Sequence, residues 1–171
     1  MVNAAATLDD PRVVLAWEAL AGVMDPEVPV LSVVDLGIVR AVRADASGIA
    51  IDLTPTYTGC PATAAIRLDV ENAIEAAGLG RPRIALVNAP AWTTDWIGPD
   101  AREKLRAYGI APPAGKASEL KAALFAEDPV LACPRCGSTD TRLTGRFGST
   151  ACKSLHACNA CAEPFEHFKC I

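Results

Sequence analysis

The chain alternates between two kinds of apolar spacing. Over residues 11–24, Val13, Trp17, Leu20 and Met24 recur every three or four positions, which places them on one face of a helix. Pro11 suits its first turn, and Asp9 or Asp10 suits its N-cap. Asp25-Pro26 ends it, because a residue before proline avoids the helical region. The pattern then turns β-rich. Residues 38–44 and 49–53 read as strands, with Asp45-Ala46-Ser47-Gly48 as the hairpin turn between them. Helical spacing returns over residues 61–77, with Ile66, Val70, Ala73, Ile74 and Ala77 as the buried face and Gly78 as the close. RIALVN at 83–88 reads as a third strand, and a short helix runs from about Asp100 to Gly109. The order αββαβα predicts a small two-layer α/β domain, helices on one face of a mixed sheet.

The pattern breaks at IAPPAGKASEL. The expected organisation is a first domain of residues 1–110, a linker of 111–128, and a cysteine-rich domain of 129–171. Strands are expected in the latter near 141–147, 150–157 and 165–170. The overall class is α+β.

Composition narrows the choice of chemistry. Of 171 residues, 51% are hydrophobic but only 5% aromatic, so aliphatic side chains must build the core. The net charge of −4 argues against a polynucleotide partner, which selects for a basic balance. No run approaches the length of a membrane span, and the first residues lack the basic and apolar regions of a secretory signal. Seven cysteines without an export signal point to reduced thiols and metal ligands, with the cytoplasm as the expected compartment.

Four of those cysteines form two C-x-x-C units, CPRCG at 133–137 and CNACA at 158–162. Two residues between thiolates let one tight turn aim both sulfurs at a single ion. Two such turns complete a tetrahedral set, so Cys133, Cys136, Cys158 and Cys161 are the expected ligands of a structural zinc. Iron in a rubredoxin-like site is the competing reading, since S4 geometry alone does not separate the two metals. Cys152 and Cys170 remain. A hairpin whose paired residue numbers sum to 322 would set them opposite each other, either as small buried apolar groups or as a dithiol taking part in metal handling. His156 and His167 read as packing or surface residues, because four cysteines already satisfy the ion.

Cys60 lies between Gly59 and Pro61, directly before the second helix. The unpaired amides at a helix start favour a thiolate there. Thr54, Thr56, Tyr57 and Thr58 supply hydroxyls near it, and Asp25, Glu27 and Asp35 lie on loops that could gather at the same end. A plain packing role for the cysteine and cap roles for the carboxylates stay open. No triad partner accompanies Cys60, so a Cys-His hydrolase is not expected. Trp92 and Trp96 read as packing or partner-contact residues.

DPEVPVLSVVDLGIV, TPTYTGCPA and WTTDWI together resemble the small domain of SufT-like and cytosolic iron–sulfur assembly proteins. With the ribbon CPRCGSTDT through FGSTACKSLHACNACAEPFEHFKCI, the chain from about Pro11 onward resembles the PaaD (PaaJ) family of phenylacetyl-CoA epoxidase subunits. The resemblance implies an accessory role in phenylacetate breakdown. The subunit would assist iron or iron–sulfur assembly in a system that joins a diiron oxygenase to a flavin and iron–sulfur reductase. It places the signature cysteine on Cys60, the acidic motif on Asp25 and Glu27, and a hydroxyl residue on Thr58. A transient iron or cluster is the implied cargo. The oxygenase or reductase subunits and the iron–sulfur assembly machinery are the implied partners, and a homodimer is compatible with the reading. The chain has neither the Glu-x-x-His pairs of a helical diiron site nor a GxGxxG fingerprint, so it is read as neither the oxygenase nor the reductase.

Overall fold

The computed structural model describes residues 10–57, 59–115 and 130–169. Internal contacts divide the chain into two compact units, Met1–Trp92 and Thr93–Ile171.

In the first unit, α1 (Pro11–Ala21) starts as its sequence dictates. The Asp10 carboxylate accepts from the Arg12 amide and Pro11 occupies the first turn. It stops three residues short of Met24. Gly22, a poor helix former, sits at its C-cap, and Met24 instead bridges Ser32 in antiparallel fashion. The buried face is therefore Val13, Ala16 and Leu20, with Trp17 half-buried and Met24 exposed. Strands β1 (Val39–Asp45) and β2 (Gly48–Leu53) pair antiparallel across a two-residue turn, and Ile49, Ile51 and Leu53 face the core at period two. Helix α2 (Thr63–Ala76) buries Ile66, Val70 and Ile74. It returns the chain to β3 (Arg83–Leu86), which pairs parallel with β2, so the sheet order is β1-β2-β3 and the sheet is mixed. α1 packs on α2, β1 and β2.

The loop between α1 and β1 is itself part of the core, with Val28, Leu31, Val33 and Leu36 buried. Its polar groups are spent on holding it: Ser32 and Asp35 exchange hydrogen bonds between backbone amides and side-chain oxygens, both at 3.0 Å. Trp92 is buried and its indole donates to the Leu36 carbonyl at 2.8 Å, so it packs rather than presenting a contact surface.

The second unit opens with a short 3₁₀ turn at Thr94–Trp96 and helix α3 (Pro99–Tyr108), which ends at Gly109 as expected. Arg102 ties this segment together by donating to the carbonyls of Thr94, Ile97 and Pro113. The next two residues, Ile110–Ala111, form β4. The C-terminal sheet is completed by β5 (Thr141–Gly145), β6 (Lys153–Cys158) and β7 (Pro164–Phe168). Its order is β4-β7-β6-β5, with β4 parallel to β7. The reading of residue 111 as the start of a linker is thus corrected. Ala111 is a strand residue packed in one core with Leu131, Cys133, Cys158 and Phe165. Residues 116–128 of that expected linker lie outside the described residues.

Candidate metal centre and cysteine cleft

The two C-x-x-C turns are built alike. In each, the first cysteine's amide bonds a carbonyl five residues on: Cys133 to Ser138 and Cys158 to Glu163, both at 2.9 Å. The residue four after each first cysteine has a left-handed backbone, Gly137 at φ 75° and Ala162 at φ 61°. Glycine meets that demand freely in the first turn; an alanine is held there in the second.

These turns converge four sulfurs. Cys133 and Cys161 Sγ are 3.8 Å apart, Cys136 and Cys158 Sγ 3.6 Å, and all four lie within 4.8 Å of one another. Sulfurs placed about 2.3 Å from a tetrahedral zinc would be about 3.8 Å apart, so the thiols already hold the spacing that an ion requires. Their closeness sets the thiols against one another for protons. The Cys161 amide draws the Cys158 thiol down to about 7 against the opposing effect of burial. The Glu163 amide favours the Cys161 thiolate, but contacts with Cys136, burial and contacts with Cys158 and Cys133 push it up to about 12. A dication removes that conflict, and its binding must release protons.

The hairpin behind the second turn corrects the expected register. Ala157 pairs with Pro164 and Lys153 with Phe168, a sum of 321 rather than 322. The cause is the Cys158–Glu163 bond, which leaves four residues in the turn where a sum of 322 needs five. Cys152 therefore lies at the level of Lys169, whose amide donates to its carbonyl. It is buried, with its sulfur 3.0 Å from the Thr150 hydroxyl. Cys170 lies outside the described residues.

This register also buries groups that spacing did not single out. Ser154 Oγ lies 3.0 Å from His156 Nε2 and 3.4 Å from His167 Nδ1, and His156 stacks on Phe165. Both histidines are buried, and among the described residues His167 Nε2 has no hydrogen-bond partner. Burial, then the charges of His156 and Lys169, lower His167 to about 4. The period-two placing of Ser154, His156 and Cys158 in KSLHAC, and of Phe165 and His167 in PFEHF, was the available signal, once the register was known. Lys153 is buried against Glu166 at 2.9 Å, and the Ser149 amide donates to the same carboxylate. A Cβ at Gly148 would sit 2.7 Å from Glu166 Oε1 and 3.1 Å from Lys153 Cβ, so a larger residue there would push the Glu166 carboxylate aside.

In the first unit a cleft is lined by Asp25, Thr54, Thr56, Cys60 and Thr63 over an apolar floor that includes Ile66. The structure thus brings Asp25 and Cys60 to one place. Asp25 is 5% exposed, and its Oδ1 accepts from the amides of Glu27 and Val28 at 2.8 Å, so part of its work is to brace the loop. Glu27 and Asp35 are not among the lining residues, and Thr58 lies outside the described residues. Helix α2 begins at Thr63 rather than Pro61, with Ala62 as its N-cap and no side-chain cap. Cys60 therefore precedes the cap by two residues. Its carbonyl accepts from both the amide and the hydroxyl of Thr63, at 3.2 and 2.9 Å.

Comparison with known proteins matches both units. Residues 16–83 fit the family model described as iron–sulfur cluster assembly protein, and residues 117–169 fit that described as PaaD zinc beta ribbon domain. A crystal structure of the domain of unknown function DUF59 from Bacillus anthracis aligns with a TM-score of 0.51 at 27% identity, covering 55% of this chain and 91% of that one. A conserved hypothetical protein from Thermotoga maritima, TM0487, is 33% identical over 56% of this chain and 93% of its own, with a TM-score of 0.46. An Escherichia coli (strain K12) protein, provisionally named as a subunit of 1,2-phenylacetyl-CoA epoxidase, is 47% identical over 97% of this chain and 98% of its own length. No helix among the described residues is long and apolar enough to cross a membrane. The end-to-end match shows that the chain belongs to the PaaD family of phenylacetyl-CoA epoxidase subunits, an iron–sulfur assembly domain joined to a zinc ribbon.

Proposed function

We propose that this protein is a non-catalytic maturation factor of the multicomponent phenylacetyl-CoA epoxidase, delivering iron or a cluster to an oxygenase or reductase subunit. The observation that carries this reading is the pairing, in one chain, of an assembly-type domain whose cleft is lined by Cys60 and the buried Asp25 with a ribbon of the PaaD type. Cys60 and Asp25 would handle the cargo. Asp25 also holds the Glu27 and Val28 amides, so the loop and the site are fixed by one side chain.

In this reading Cys133, Cys136, Cys158 and Cys161 hold a structural zinc, whose role is to fold the ribbon; bound there, it supplies charge neutralisation and no redox chemistry. A rubredoxin-like electron carrier is the second reading, favoured by the same S4 geometry and by the exposure of Cys136 and Cys161. Co-expressing the epoxidase subunits with and without this chain tests the proposal. Epoxidase purified without it should contain less iron and turn over more slowly. Equal iron content and turnover in the two preparations would refute the maturation role. Iron in place of zinc at the ribbon, with a visible absorption band that bleaches on reduction, would replace it with electron transfer.

A further inference from the structure

The charges of the ribbon are unevenly spent. Between residues 130 and 169 it carries five cations and three acids. Glu163 pairs with Arg135 and Glu166 with Lys153. Asp140 accepts from the Asn159 side chain, and Arg142 donates to that same side chain. Arg146 and Lys169 remain, and neither meets an acid among the described residues. Both stand beside one aromatic ring. Lys169 Nζ lies 4.6 Å from the centre of the Phe147 ring and donates to the Arg146 carbonyl at 3.3 Å. Phe147 is 69% exposed, and Leu155, 40% exposed, adjoins it across Gly145: a Cβ there would lie 3.4 Å from both Leu155 Cδ1 and the Phe147 carbonyl. The patch gathers at the Lys153–Phe168 end of the β6–β7 hairpin, and the second cysteine turn is at the other end, so the metal centre is not part of it.

We infer that this patch is the surface by which the chain docks on an epoxidase subunit, and that the subunit presents acidic side chains around an apolar contact for the Phe147 ring. This rests on the maturation reading and names a docking surface for it. The charge excess sets the chemistry of the partner: unpaired cations steer an acidic surface into register, and the ring supplies contact area at small cost in side-chain entropy. A second copy of this chain is the poorer match. In its first unit Asp10, Asp45, Asp52 and Glu71 are already paired with Arg12, Arg83, Arg43 and Arg81.

The test uses the full chain with its ribbon loaded with zinc and, as probes, the purified oxygenase and reductase components of the epoxidase. Dissociation constants are measured by titration calorimetry at about 50 mM and about 500 mM salt, the higher of which screens exposed charges. Phe147→Ser removes the ring, and Arg146→Glu combined with Lys169→Glu reverses the charge. Leu68→Ser, at an exposed leucine of α2, is the control. Unchanged zinc content and far-ultraviolet circular dichroism show that each variant is folded. The inference predicts that wild type binds one component and that both patch variants bind it at least tenfold more weakly. The control should bind as wild type does, and added salt should weaken wild type but not the charge-reversed variant. Unchanged binding in both patch variants, or no binding by wild type, would overturn the docking inference. The maturation reading is decided separately, by the iron content of epoxidase made with and without the chain. Weakening by Phe147→Ser alone, without salt dependence, would overturn the acidic partner. Wild type that sediments as a dimer, with Phe147→Ser as a monomer, would overturn the inference in favour of a second copy.

Discussion

Ala162 holds a left-handed backbone that glycine holds at the matching place in the first turn. Strain of this kind costs on the order of 1 kcal/mol. Ala162→Gly is therefore expected to stabilise the ribbon by up to about 1 kcal/mol, and Gly137→Ala to destabilise it by a similar amount; denaturant melts of the zinc-loaded chain check both. His167 is a second residue with a measurable signature. Its folded-state value of about 4 lies below its ordinary value of 6.5, so between these limits the unfolded chain binds a proton that the folded chain does not. Stability is unaffected above about pH 6.5 and falls as pH drops toward 4, by about 3 kcal/mol in all. His167→Phe should flatten that part of the stability–pH curve relative to wild type. An unchanged slope would show that His167 is protonated in the folded protein.

At the scale of elements, the sequence patterns located most helices and strands because their apolar periods are regular. Ile49, Ile51 and Leu53 show this for β2, and Ile66, Val70 and Ile74 for α2. What escaped has a tertiary cause. Two residues, Ile110 and Ala111, are too short to show a period, and only pairing with Glu166 and His167 makes them a strand. The register of β6 against β7 missed by one residue because it is set by a backbone bond across the cysteine turn, not by apolar alternation. The grouping of the four cysteines was legible from two C-x-x-C units; that of Asp25 with Cys60 was only a grouping of loops until the fold placed both on one cleft. Arg102 had no local signature either, since its three carbonyl partners lie 5 to 11 residues away. Arg102→Met keeps the stem but leaves those carbonyls without their donor, and should destabilise the second unit by about 2 kcal/mol, read as a lower midpoint in thermal unfolding.

For the molecule as a whole, the two units should respond separately to loss of metal. Chelation, or serine at any of Cys133, Cys136, Cys158 and Cys161, is expected to unfold the ribbon, because the ion's binding energy is folding energy. The first unit, whose core contains none of these ligands, should keep its hydrogen-exchange protection at Ile49, Ile51 and Val70. Cooperative loss of protection in both would show that the ribbon supports the first unit. Supplied with phenylacetyl-CoA, NADPH and oxygen, the isolated chain should give no product, since its candidate sites are a four-thiol centre and a cleft whose lining holds one cysteine and one carboxylate. The central claim is that Cys60 handles iron on behalf of the epoxidase. Its most direct test is epoxidase activity in cells that lack the wild-type chain and carry Cys60→Ser in its place. The account predicts a folded, zinc-containing variant that leaves the epoxidase inactive; full activity with that variant would contradict it.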